Sequence, residues 1–209
     1  MAVDFTQSQQ MNAMLPPQQE KLKKYTPEQL CQKAGITYNE TTQTLTVPSL
    51  NKDIHIHYPD ITVDWPVEHE KDMWYIVTLL IHLDEADGLP LADTTKSLAD
   101  MPGGMARASG FERQYAAIFT KDFATATAAQ VKAAVEKLGG TITQGKGDVC
   151  ATLYFAPKMP VYFSFYEADD EFPASGKLLV NGYAEHNLNI EATGFVLEYV
   201  LYRISQELA

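Results

Sequence analysis

The run Val161-Tyr162-Phe163-Ser164-Phe165-Tyr166 carries large apolar or aromatic side chains at both odd and even positions. Successive side chains of a strand point to opposite faces, so such a strand is best satisfied with cover on both. The expectation is a central strand, buried on its two faces, around which the remaining elements must be arranged. Directly after it come Glu167-Ala168-Asp169-Asp170-Glu171-Phe172-Pro173, with four carboxylates in five residues. A buried strand should therefore deliver a knot of negative charge to the rim of the molecule.

Helix signals surround this strand. Thr26-Pro27-Glu28-Gln29, Ser109-Gly110-Phe111-Glu112 and Thr127-Ala128-Ala129-Gln130 each place a hydroxyl three residues before Glu or Gln. In that spacing the hydroxyl accepts an unpaired backbone N–H and the longer side chain reaches back to the cap residue. Stripes at Phe111, Tyr115, Ile118, Phe119 and at Ala128, Val131, Val135, Leu138 follow two of these starts. Gly35 and Gly139-Gly140 are expected stops. A helix from about Val67 to Leu83 is apolar nearly all round beyond Met73 and should be the most buried. A last helix is expected over 190–208, capped by Asn189.

Strands are expected at 36–38 and 44–47 as a hairpin, at Ile54, Ile56 and Tyr58, and at 141–143, 149–155, 161–167 and 177–180. Hairpins followed by helices, then hairpins and a helix, indicate an α+β fold. We expect a single domain over 16–209, with a mixed or antiparallel sheet and about five helices. Residues 1–15 are polar and without a period, which reads as a flexible N-terminal arm.

The charge balance is 16 Lys and Arg against 27 Asp and Glu, a formal net charge of −11. Such an excess repels phosphate backbones and anionic lipid, so neither nucleic acid nor membrane is an expected partner. The longest purely apolar stretches are far short of the roughly 20 residues a spanning helix needs. Cys31 and Cys150 form no CxxC pair, which speaks against a zinc ribbon, a redox dithiol or an iron–sulfur ligand set within the chain. Two lone cysteines and a start without a basic-then-apolar leader point to the cytoplasm.

Chemistry-bearing residues are few. His55 and His57 share one strand face, which suits either a solvated polar face or a metal pair still lacking a third ligand. His69 falls in an acidic first turn and reads as a solvated residue. His82, near the end of the buried helix beside Asp84 and Glu85, is either a proton-transfer group or a hydrogen-bonded neighbour of the core. His186 has no evident partner. The acidic segment has three readings: a solvated turn, oxygen ligands for a hard cation, or caps for backbone N–H groups. Gly103-Gly104 lies in a long irregular stretch, 88–108, where a plain turn competes with close backbone approach to a ligand. Gly145-Lys146-Gly147 reads as a hairpin turn, and Cys150 as buried and inert. GxSxG and HExxH are both absent from the sequence.

Pro157-Lys158-Met159-Pro160-Val161, the Glu167–Ala174 segment, Lys177-Leu178-Leu179 and a terminal helix after Asn189 together resemble an uncharacterised bacterial family, domain of unknown function 3786. Leu79–Leu83, Ala86–Leu91 and Pro102-Gly103-Gly104 fit the same pattern, so the resemblance covers roughly residues 60–207. It implies a cytoplasmic protein of anaerobes, and a redox or corrinoid-linked setting because some members carry an added iron–sulfur domain. This chain departs there, since two cysteines cannot hold a cluster.

The preferred reading is a non-catalytic binding or accessory module for a small ligand or a basic protein partner. Its recognition surface is the acidic turn with the 88–108 loop, and its candidate residues are Asp169, Asp170, Glu171, His82, Gly103 and Gly104. The alternative is an enzyme that joins His82 to the Glu167–Glu171 carboxylates. A stability or assembly factor without a pocket is a third. No cofactor, metal or oligomeric state follows from the residues.

Overall fold

The cap signals at Thr26, Thr127 and Asn189 each open a helix. In the computed structural model, which describes residues 9–65 and 70–208, helix α1 (Gln9–Leu22) precedes them. It begins inside the stretch expected to be an arm. Leu22 is fully buried and Leu15 packs on the core, which supplies apolar burial that the polar composition concealed. Residues 1–8 lie outside the described residues.

Helix α2 (Pro27–Ala34) starts with the reciprocal pair expected: Gln29 N donates to Thr26 Oγ1 at 3.3 Å and Thr26 N to Gln29 Oε1 at 2.9 Å. Gly35, at φ 71°, ends it. Helix α3 (Glu70–Glu85) buries Met73, Tyr75 to Leu80, His82 and Leu83. Its expected first turn at 67–69, His69 included, falls outside the described residues.

Helix α4 (Gly104–Asp122) starts at Gly104 instead of Ser109. The capping signal at Ser109 is overridden by backbone packing. Gly104 N donates to Met101 O at 2.8 Å, and a Cβ on Gly104 would lie 2.0 Å from Leu98 O. Only glycine lets the helix begin against that turn. The stretch before it is also less irregular than expected, holding strand β5 (Thr95–Lys96) and a 3₁₀ turn over Leu98–Asp100. Helix α5 (Ala128–Lys137) has the expected capping box at Thr127. Helix α6 (Ile190–Gln206) opens with Asn189 Oδ1 accepting from Ala192 N at 3.0 Å.

Both sheets are antiparallel. Strands β1 (Thr37–Asn39), β2 (Thr44–Ser49), β3 (Lys52–His57) and β4 (Thr62–Asp64) form a four-stranded meander. Strands β5, β6 (Thr141–Ile142), β7 (Val149–Ala156), β8 (Met159–Tyr166) and β9 (Ser175–Asn181) form a five-stranded sheet in the order β5-β9-β8-β7-β6. The fold is α+β, and one contiguous core joins residues of both sheets and of all six helices found among the described residues.

Strand β8 sits at the centre of its sheet, as expected. Cover on both faces is not what the structure shows. Val161, Phe163 and Phe165 are buried together with their β7 partners Leu153, Ala151 and Val149. Phe119 and Phe123 of α4 and its C-cap pack on Phe163 and Phe165, while Tyr75 and Tyr199 pack on Phe155. On the opposite face Tyr162 and Ser164 are half-buried, and Tyr154 and Tyr166 are 44% and 39% exposed. The tyrosines among these even positions are amphipathic, and an aromatic side chain with a hydroxyl tolerates partial exposure that Phe163 and Phe165 do not.

Candidate functional site

The acidic segment folds as a set of caps. Asp169 Oδ1 accepts the amides of Glu171 at 2.9 Å and Phe172 at 2.7 Å, closing an Asx turn with Asp169 N on Phe172 O. Glu167 Oε2 accepts Ala128 N at 2.6 Å, the first helical amide of α5. Asp148 Oδ2 in turn accepts Glu167 N at 2.8 Å. Asp170 and Glu171 stand exposed at the tip with Phe172, which is 66% exposed. The clustered charge is thus relieved by backbone N–H donors and by water.

His82 is fully buried on α3. Its Nδ1 lies 3.3 Å from Asn187 O, a carbonyl that can only accept, so Nδ1 carries the proton and Nε2 presents a lone pair. Nε2 and Asn187 Oδ1 are both buried without a protein donor. Burial, opposed by the hydrogen bond to Asn187 and aided by the charge of Lys158, pushes the imidazole pKa down to about 4. His82 is a neutral core residue, apart from the exposed Asp169, Asp170 and Glu171. Gly103, at φ 77°, is the N-cap of α4 and Gly104 is buried against the Leu98 carbonyl, so this pair sets where α4 begins.

The other histidines have specific neighbours. His55 Nδ1 meets Thr46 Oγ1 at 3.3 Å, His57 Nε2 meets Asp64 Oδ2 at 2.7 Å, and His186 Nδ1 meets Asp87 Oδ2 at 2.7 Å. Asp87, which the sequence does not mark as a partner, ties His186 to the end of α3. Among the described residues no cluster of three or more His, Cys, Asp or Glu is placed to hold a metal ion. Cys150 is buried on β7, its Sγ 3.3 Å from Gly147 N.

A mostly apolar concavity lies elsewhere, between α4 and the start of β9. It is a cleft of about 280 Å³. Tyr115, Phe119, Leu178 and Leu197, all less than a tenth exposed, form the floor. Ser97, Glu112, Thr120, Ser175 and Lys177 form a polar rim. Tyr115 Oη donates to Gly194 O at 2.8 Å, and burial raises its phenol far above the ordinary value, so the hydroxyl is a fixed donor with no proton to lend.

Gly176 makes the cleft possible. A Cβ there would lie 2.2 Å from Phe119 Cζ, so glycine alone allows β9 to approach α4 this closely. Pro173 and Ala174 line one end of the cleft and lead directly from the acidic turn. Ser97 and Leu98, from the 88–108 stretch, line it as well. Pro173, at the end of the acidic turn, and Ser97-Leu98, from the 88–108 stretch, thus both line the cleft, whereas Asp169 to Glu171 and Gly103-Gly104 do not. Tyr115 and Phe119 were visible in the sequence as an apolar helix stripe. Glu112, Gly176 and Lys177 were not marked as site residues, although an isolated glycine at the head of a strand is a signal of close backbone approach.

Residues 26–203 match the family described as Domain of unknown function (DUF3786). The chain belongs to that family. The DUF3786 match runs from the cap of α2 into the last turns of α6, and so takes in both sheets, the acidic turn and the whole cleft. It begins well upstream of the residue 60 at which the motif resemblance starts. Neither curated proteins nor solved structures gave a match to the chain. Among the described residues, no helix is long and apolar enough to cross a membrane.

Proposed function

We propose that this DUF3786 protein is a binding module, and that it receives an apolar group of its ligand or partner in the cleft between α4 and β9. One observation carries the reading: an apolar floor with a mixed polar rim, held open at a glycine that cannot be replaced without collision. Apolar concavities with a few convergent polar groups are the usual form of a recognition site. The volume suits a single small ring or branched side chain. Asp170 and Glu171 extend the site with negative charge and favour a basic partner, in keeping with the net charge of −11. Gly103-Gly104 acts at one remove, by setting the start of α4, and His82 is a core residue away from the cleft lining. A cytoplasmic, accessory role in anaerobic metabolism rests on the family resemblance alone.

The catalytic alternative joins His82 to the acidic turn, and these groups lie apart: the imidazole is sealed in the core and the carboxylates are at the surface. The test is an amide-shift titration of the full chain with phenol and isobutanol as probes, on the wild type and on Ala116→Trp. Ala116 is exposed on α4 and lines the cleft, so tryptophan there plugs it without entering the core. Shifts at Leu178 and Ala174 that vanish in the variant are expected. Probes that leave those amides unmoved, or move them equally in the plugged variant, overturn the reading.

A further inference from the structure

Strand β9 pairs with β8 from Ser175↔Tyr166 to Val180↔Val161, but with β5 only at Val180 and Asn181. The chain leaves β5 after Lys96, because Ser97 caps the 3₁₀ turn: its amide and hydroxyl both donate to Asp100 Oδ2, at 3.1 and 2.7 Å. Those two bonds hold the Asp100 carboxyl below its ordinary range, aided by the charges of Lys96 and Lys177. Among the described residues no strand pairs with residues 175–179 of β9 on the β5 side, so they present an open edge.

The phase of that edge follows from one bond. Gly182 N donates to Thr94 O at 2.7 Å, which makes Gly182 and Thr94 a bonded pair. Hydrogen-bonding direction alternates along an antiparallel strand, so the N–H and C=O of Val180, Leu178 and Gly176 all point to the β5 side. Val180 is met by Lys96; Leu178 and Gly176 are not. Their free groups border the cleft, which Ser175, Gly176, Lys177 and Leu178 line in unbroken succession.

The geometry points to an extended peptide segment of a basic partner protein as the occupant, added to β9 as an antiparallel strand in line with β5. This deepens, and rests on, the binding reading of the same cleft. Side chains of directly opposed residues share a face, so peptide residues facing Leu178 and Gly176 turn toward Tyr115 and Phe119. An apolar residue fits there. An antiparallel strand also brings its C-terminal end beside Ser175 and the acidic turn, where Asp170 and Glu171 are exposed. Basic residues at that end meet the opposite charge. Main-chain bonds to an open edge combined with a side-chain cleft are the two components of strand addition. A second copy of this chain fits poorly: its own β9 edge is recessed between α4 and the Ser97–Asp100 turn, and each copy carries a net charge of −11.

The experiment titrates the full ¹⁵N-labelled chain with a blocked peptide of about six residues, alternating valine and threonine and ending in two lysines. Three comparisons accompany it: the same peptide N-methylated at alternate amides, a version with glutamates for the lysines, and the Ala116→Trp variant. The expected result is a shift of the Gly176 and Leu178 amides together with slowed hydrogen exchange at both. N-methylation should weaken binding about tenfold or more, since it removes two or more backbone bonds. The glutamate version should bind several-fold more weakly at low salt, with the gap closing as salt rises. Ala116→Trp should abolish binding. If the N-methylated peptide binds as well as its parent, or if phenol and isobutanol occupy the cleft but no peptide does, strand addition is wrong while the binding cleft stands. If neither peptide nor probe reaches the cleft, both fall. Concentration-dependent dimers that protect Gly176 and Leu178 without peptide would replace the partner segment by a second copy and overturn the inference.

Discussion

Glu167 Oε2 accepts the Ala128 amide at 2.6 Å, so a carboxylate that leaves the central strand also caps helix α5 across 39 residues of sequence. The N-terminal amides of a helix carry partial positive charge and lack intrahelical partners, which suits a carboxylate better than a neutral acceptor. Glu167→Ala should therefore destabilise the fold by about 1 kcal/mol, and Glu167→Gln by about half that. Urea denaturation of the three proteins side by side checks the ranking. An alanine variant as stable as the wild type would show that the Thr127 capping box suffices alone.

His82 gives the fold a pH dependence with a definite sign. Burial lowers its pKa from 6.5 to about 4, so the unfolded chain takes up a proton at a higher pH than the folded one. The stabilisation is complete above pH 6.5 and is lost as pH falls through that value toward 4. The whole effect is about 3 kcal/mol. His82→Leu should be less stable than the wild type at neutral pH, since Asn187 O loses its donor. The difference between the two proteins should then shrink on acidification. Carboxylates titrate in both and cancel in the comparison. Parallel stability profiles from pH 7 to 4 would mean that His82 is not held neutral in the core.

What could be read from the residues divides along the range of the interactions. The boxes at Thr26 and Thr127 and the cap at Asn189 were legible because capping is settled within four residues. The α+β class and the central place of β8 were legible from hydrophobic period. The start of α4 was misread at Ser109, because contact of Gly104 with Leu98 O decides it and that contact depends on a turn no local signal announces. Strand β5, two residues long, exists only because Lys96 finds Val180. The cleft was illegible for the same reason: its floor is a helix stripe that looks like ordinary core until the register of β9 sets Gly176 beneath Phe119. Burial of His82 was foreseeable from the apolar helix around it, whereas its tie to Asn187 spans 105 residues.

The contact of Gly176 with Phe119 makes a double-mutant cycle informative. A methyl group at position 176 would lie 2.2 Å from Phe119 Cζ and 2.6 Å from Ser164 O. The ring can yield but the backbone oxygen cannot. Gly176→Ala should cost about 2–3 kcal/mol, and Phe119→Leu about 1–2 kcal/mol alone through lost packing. In the double variant the smaller side chain relieves part of the collision, so the combined loss should fall short of the sum by about 1 kcal/mol. Strict additivity, measured by thermal or urea unfolding, would show that the ring does not oppose the new methyl.

Leu50 and Asn51 form the two-residue loop between β2 and β3, at φ 46° and 62°. Hairpin loops of this length need positive φ at their centre, and leucine is a costly choice there, by about 1–2 kcal/mol relative to glycine. Its retention has a packing cause. Leu50 is only 4% exposed within the shared core, and its amide donates to Tyr154 O at 3.0 Å, joining the tip of one sheet to β7 of the other. Burial of a leucine side chain contributes about 2–3 kcal/mol, enough to outweigh the strain. Leu50→Ala keeps the strained backbone and loses the burial, whereas Leu50→Gly loses the burial but releases the strain. The expected order of stability is wild type above glycine above alanine, with glycine about 1 kcal/mol better than alanine. That order reverses the usual one for these two residues, and chemical denaturation of the two variants decides it: alanine above glycine would mean that the left-handed conformation at Leu50 carries no cost.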